Sequence, residues 1–160
     1  MLIIFGGLPG TGKTTIARAL AEERAATYIR IDTIELALWS SGAVPGEIGP
    51  YGYVVAYAVA EDNLRLGRDV IADSVNPIAA TRTAWREAAE RAGTSYVEIE
   101  VVCSDLAEHR RRIETRSASP TWSEVVRRVY EPWDSPRIVL DTAHRTIAEA
   151  LAELRSVLQR

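Results

Sequence analysis

Leu2-Ile3-Ile4-Phe5-Gly6-Gly7-Leu8-Pro9-Gly10-Thr11-Gly12-Lys13-Thr14-Thr15 is the stretch whose reading decides the fold. Four apolar residues run without alternation into glycine, the pattern of a short strand buried on both faces. From Gly7 the chain matches G-x-x-x-x-G-K-[ST], a loop whose glycines allow close approach, so that successive N–H groups can face phosphate oxygens. Behind it, Lys13 to Ala25 places Ile16, Leu20 and several alanines on one helical face, which sets the positive end of a helix against the loop. Gly7, Leu8, Pro9, Gly10, Thr11, Gly12, Lys13, Thr14 and Thr15 are therefore the candidate nucleotide contacts. Lys13 is expected to reach the β and γ phosphates, and the Thr14 hydroxyl to ligate Mg²⁺. Of the 19 basic side chains, Lys13 is the only lysine. A compact ammonium on a slim stem fits a tight backbone ring where a planar guanidinium does not.

Outward from this stretch, apolar runs return at Tyr28-Ile29-Arg30-Ile31, Asp69-Val70-Ile71-Ala72, Tyr96 to Val102 and Arg137-Ile138-Val139-Leu140. Helical patterns separate them. Asn76-Pro77 reads as a cap before Ile78, Thr81, Trp85, Ala88 and Ala92. Asp105 with Glu108, and Thr121 with Glu124, have capping-box spacing. Ile147, Leu151, Leu154 and Leu158 recur at amphipathic spacing near the end. Five strands alternating with helices predict an α/β fold with a mostly parallel sheet, as one domain over residues 1–160. Ser40 to Pro50, rich in glycine and proline, reads as a long loop. Tyr51, Tyr53 and Tyr57 after it read either as helix packing or as substrate contacts, in a substrate-covering segment at 40–57.

The totals narrow the chemistry. A formal charge of -3 and a pI near 5.5 give no global basic field, so a duplex nucleic-acid partner is disfavoured. One cysteine, Cys103, cannot form an internal disulfide and reads as a buried thiol. No stretch approaches the length of a membrane span and the N-terminal apolar run is too short for a signal peptide, so a cytoplasmic location is expected.

Ligands of open parallel sheets bind at the carboxyl ends of the strands, where two carboxylates stand. Asp73 follows Val70-Ile71-Ala72 and is expected beside the Mg²⁺, through its water shell, with substrate positioning or a helix cap as alternatives. Asp32 follows the second strand and either accepts a proton from an acceptor hydroxyl or caps the next helix. The run His109 to Arg116 reads as a solvated face, a nucleic-acid patch or a phosphate clamp in a lid over residues 105–120. At about 100° per residue, Arg110 lies near the Leu106/Ile113 stripe and Arg116 at its edge. These two rank first as arginines that stabilise the transferring phosphoryl group, with Arg111 and Arg112 toward solvent or in ion pairs.

Together these residues resemble the P-loop kinases of small molecules and of nucleotide or polynucleotide ends, a group that includes adenylylsulfate kinase, gluconate kinase, chloramphenicol phosphotransferase and the kinase domain of phage polynucleotide kinase. The resemblance rests on GLPGTGKTT, Ile31-Asp32, VIADSVNP, the Arg110 to Arg116 run and YEPWDSPRIVLDT. It implies a P-loop NTPase fold of three layers with a five-stranded parallel sheet in the order 2-3-1-4-5. It also implies Asp32 as the base and a loop from Asp141 to His144, including Thr142, beside the adenine. Glu35 stands where polynucleotide-end kinases of this group carry arginine. The expected activity is ATP- and Mg²⁺-dependent transfer of the γ-phosphoryl group to a small-molecule hydroxyl. A nucleotide or polynucleotide 5′-end kinase and a non-catalytic ATP-binding regulatory module are the alternatives.

Overall fold

The computed structural model describes residues 1–42, 44, 46–116 and 120–158. At its centre runs β1 (Leu2–Gly6), every residue of which is buried. After the phosphate loop come α1 (Lys13–Arg24), β2 (Thr27–Arg30), α2 (Ile31–Ser41), α3 (Tyr51–Arg65) and β3 (Val70–Asp73). The second half supplies α4 (Ala79–Arg91), β4 (Tyr96–Val102), α5 (Leu106–Glu114), α6 (Trp122–Arg127), β5 (Ile138–Asp141) and α7 (Ile147–Leu158). The strands pair in the order β2-β3-β1-β4-β5, and every pairing is parallel. This is the order that the resemblance implies.

Alternation along each strand assigns its side chains to two cores. Ile3 and Phe5 join Ile71, Ile99, Val101 and Leu140 beneath α1 and α7, which contribute Ile16, Leu20, Leu151 and Leu154. Leu2 and Ile4 join Val70 and Ala72 on the opposite face, beneath Ala56, Ala60 and Leu64 of α3 and Trp85 and Ala89 of α4. Helices on both faces explain why the β1 sequence never alternates with polar residues. β4 departs from this rule. Glu98 and Glu100 alternate with Ile99 and Val101 and are buried, Glu98 against Arg86 and Ser135, Glu100 against Arg137 and Tyr130.

Several boundaries differ from the sequence expectation. The loop expected from Ser40 begins later, because α2 continues to Ser41 and stops at Gly42, whose φ of 67° is the left-handed conformation of a helix end. Ala43 and Pro45 of that segment, and residues 117–119 of the expected lid, lie outside the described residues. Asn76 does not cap α4, which follows Ile78. Its side chain is buried and its Nδ2 donates instead to the Phe5 carbonyl at 2.9 Å, which ties the segment after β3 to β1. Asp105 does cap α5, accepting from Ala107 and Glu108 N–H, and Thr121 with Glu124 forms the full reciprocal box. Cys103 is free and buried. Among the described residues no helix is long and apolar enough to cross a membrane.

Candidate active site

The loop between β1 and α1 is held open by its neighbours. Gly7 has φ 145° and lies against the Val101 carbonyl oxygen. Gly10 has φ 88°, and a Cβ there would come within 2.6 Å of Ile113 Cδ1, so neither place admits a side chain. Three other elements pin the loop backbone. Gly7 N–H donates to the Val75 carbonyl at 3.1 Å, the Thr142 hydroxyl donates to the Thr11 carbonyl at 2.7 Å, and the buried His109 Nε2 lies 2.7 Å from the Pro9 carbonyl. Thr11 is buried and bonds back to Leu8, closing the turn. Gly12 caps α1 with no side-chain hydrogen bond and no acidic residue follows in the first turn. The positive end of the helix dipole, with no acidic side chain beside it, therefore faces the loop as an anion site would need.

Behind the loop the strand ends carry alternating charges. Lys13, nearly buried, places Nζ 2.8 Å from Asp73 Oδ1 and 3.5 Å from the Thr14 hydroxyl. Burial alone would push the Asp73 carboxyl up, but the Lys13 charge and hydrogen bonds from Lys13, Tyr28 and Thr14 outweigh it and hold the group below the usual aspartate range. The Tyr28 hydroxyl donates to Asp73 Oδ2 at 2.7 Å. Its own burial and that bond push its pKa well up, so it remains a donor. Arg30, the last residue of β2, lies in register beside Asp73 with Nε 3.7 Å from Oδ2, and its Nη2 donates to Asp32 Oδ2 at 2.6 Å. Asp32 lies within the first turn of α2, after the Arg30 N-cap, so it does not cap that helix.

Two cavities meet at the loop. A polar one of about 340 Å³ is lined by Lys13, Thr14, Arg30, Asp32, Arg116 and Arg128, among others. A more apolar one, also about 340 Å³, opens on the other side of Gly12, between Ile16, Arg112, Thr142, Arg145 and Ile147. The phosphate loop therefore separates a polar chamber from a more apolar one.

The arginine ranking changes on this geometry. Arg110 is 59% exposed and pairs with Glu114 on the outer face of α5, away from both cavities. Arg112 turns inward, with Nη1 donating to the Thr142 hydroxyl and Nη2 to the Thr142 carbonyl, each at 2.8 Å, while Nε bonds Glu108. Arg116 lines both cavities. A helical wheel centred on Leu106 points the wrong way because that leucine is 70% exposed; the inward face is instead His109, Arg112 and Ile113, and Arg116 reaches the cavities from just past the helix end. The adenine-side loop splits in a similar way. Thr142 lines the apolar cavity, whereas Asp141 accepts from Ser104 and Ala143 N–H, and His144 pairs with Asp105.

The tyrosines divide as well. Tyr57 packs edge-on against Trp85 at 4.7 Å and donates to the Thr81 carbonyl, while the Tyr53 hydroxyl accepts from Asn76 N–H at 3.3 Å. Burial pushes Tyr53 up to about 12. Glu35 is half-buried, fits against Gly52, and is pushed up by burial and then by Asp32. Sequence reasoning does not single out Tyr28, Arg30, Arg112 or Arg128 for this site. Of the four, Arg30 alone leaves a signal: a charged residue inside the apolar run TYIRI has to find a partner.

A five-stranded parallel sheet in this order, with the phosphate loop after its first strand, defines a P-loop NTPase of the kinase-type three-layer class. A family described as an AAA domain matches residues 2–136, and the chain belongs to it. Among solved structures it is similar to an APS kinase from Mycobacterium tuberculosis in complex with AMPPNP and APS, at 17% identity over 99% of this chain and 97% of that one, TM-score 0.65. It is also similar to a gluconokinase from Sinorhizobium meliloti 1021, at 19% identity over 98% and 94%, TM-score 0.66. Kti12 from Chaetomium thermophilum, in complex with ADP-AlF3, shares 26% identity over 98% of both chains, TM-score 0.70. Comparison with the curated proteins gives no match.

Proposed function

We propose that this chain is an ATP- and Mg²⁺-dependent kinase acting on a small-molecule hydroxyl. The observation that carries the reading is that Lys13 and Thr14 of the phosphate loop and the carboxylate of Asp32 line one polar cavity. The adjoining apolar cavity suits the base, and two of the neighbours are named as kinases. In this reading the loop amides and Lys13 hold the β and γ phosphates, and Arg116 with Arg112 closes the donor side. Asp32 accepts the proton of the acceptor hydroxyl as its oxygen bonds to the γ phosphorus. The bond from that phosphorus to the β–γ bridging oxygen breaks, and ADP leaves.

The Thr14 hydroxyl and Asp73 carboxylate are hard oxygen donors beside the loop, a set that fits Mg²⁺ held chiefly by phosphates and water. Bound there with the nucleotide, the ion would neutralise charge on the transferring phosphoryl group. The segments 40–57 and 105–120 are assigned to covering the acceptor and the donor. A cytoplasmic location belongs to the same reading.

A second reading, a nucleotide-dependent binding module without phosphotransfer, is left open by the similarity to Kti12, which is not named as a kinase. Calorimetric titration with ATP·Mg²⁺ beside an ADP-release screen over sugars, aminoglycosides, nucleosides and oligonucleotides separates the two. A kinase releases ADP only with an acceptor, and Asp32→Asn then lowers kcat by about 10²–10⁴-fold with ATP affinity kept. Tight ATP binding with no acceptor-dependent ADP in any arm would sink the kinase reading.

A further inference from the structure

The geometry points to Arg30 as a positioning residue that holds the Asp32 carboxylate at the mouth of the phosphate loop and ties it to Asp73. The inference rests on the kinase reading above, in which Asp32 takes the hydroxyl proton. The Asp32 side chain is 55% exposed at the start of α2, and Arg30 Nη2 donates to its Oδ2 at 2.6 Å. An exposed carboxylate left alone samples several rotamers, and each of them costs entropy when the reacting geometry must be reached. A guanidinium bonded to one oxygen removes that freedom and leaves the other oxygen for the acceptor.

Arg30 can do this because it is itself anchored. It ends β2 in register with Asp73, its side chain is only 31% exposed, and its guanidinium lies between the two aspartates. The charges run Lys13, Asp73, Arg30, Asp32, alternating in sign along contacts of 2.8, 3.7 and 2.6 Å. Arg30 Nε is buried and has no hydrogen-bond partner, though Asp73 Oδ2 is 3.7 Å away. Lys13 holds Asp73 Oδ1 while Arg30 Nε faces Oδ2, so Arg30 keeps its own oxygen of Asp73 and does not compete with the group beside Oδ1. Anchored at Asp73 by one edge of the guanidinium, Arg30 keeps hold of Asp32 with the other. The residue links the two halves of the site from the wall of the polar cavity, and its part in the reaction runs through Asp32.

The test uses the full chain as wild type, Arg30→Ala, Arg30→Lys, Asp32→Asn and the double variant. With an acceptor found in the ADP-release screen, Arg30→Ala should lower kcat about 10–100-fold while ATP·Mg²⁺ affinity and acceptor KM move by less than about threefold. Arg30→Lys should regain part of the loss. In the Asp32→Asn background, Arg30→Ala should cost less than about twofold, since a residue acting through Asp32 has nothing left to position. Equal losses in both backgrounds would overturn the proposal. A readout that needs no acceptor is the ¹⁵N spectrum of the Arg30 guanidinium, whose Nη–H signals should be sharpened in the wild type and broadened in Asp32→Asn. Identical signals in both proteins would also overturn it. If the wild type binds ATP·Mg²⁺ but phosphorylates nothing, the kinase reading falls, and the guanidinium spectrum still decides whether Arg30 holds Asp32.

Discussion

Arg112 gives two hydrogen bonds to Thr142, while Arg110, two residues earlier, pairs with Glu114 in solvent. Thr142 in turn bonds the Thr11 carbonyl, so Arg112 supports the nucleotide loop from behind and faces the apolar cavity. Arg112→Ala should weaken ATP·Mg²⁺ binding about tenfold, the worth of one charge-assisted hydrogen bond. Arg110→Ala should leave it within about twofold, because an exposed i,i+4 pair contributes little. Calorimetric titration of both variants checks this, and equal losses would restore the ranking read from the helical wheel. At this scale the loop residues are legible because glycine, lysine and threonine at fixed spacing have one shared physical use. Arg112 is not legible. An arginine in a run of three carries no mark of which way it turns, and the wheel takes its orientation from a leucine that the fold leaves exposed.

The elements around the site are joined by buried charge as well as by apolar packing. Arg82 of α4 has no exposed surface and donates to the carbonyls of Asn76, Glu131 and Pro132, with its guanidinium 4.9 Å over the Trp133 ring. Trp133 in turn lies against Gly6 at the end of β1. One side chain therefore fastens the segment before β5 to the strand ends that carry the phosphate loop. Arg82→Met keeps the length and the apolar stem but leaves three carbonyls short of a donor, and should lower unfolding free energy by about 2–4 kcal/mol. Denaturant unfolding monitored by tryptophan fluorescence measures it, and a change under about 0.5 kcal/mol would mean that water replaces the guanidinium. The strands are legible from their apolar runs. The start of α4 is not, since Asn76-Pro77 has the local form of a cap and the fold uses that asparagine to hold the segment after β3 to β1 instead.

For the whole molecule, the nucleotide site lies where β1, α1, α5 and the start of α7 converge, so occupancy bears on several elements together. ATP·Mg²⁺ at about 100 times its Kd should stabilise the fold by about 2.7 kcal/mol, a rise of about 5–10 °C in Tm for a chain of this size. Thermal scans with and without nucleotide test it, and an unchanged Tm at saturation would show that the loop does not bind. The sequence by itself determined the parallel α/β class, the strand that leads into the phosphate loop and the placement of Asp73 at a strand end. These follow from hydrophobic period and from the backbone freedom of glycine, which are local properties. Tertiary structure alone decided the partners: Lys13 with Asp73, Arg30 between Asp73 and Asp32, Arg112 on Thr142. Most of those contacts join residues far apart in the chain, and a charged side chain takes its direction from the opposite charge that folding brings within reach.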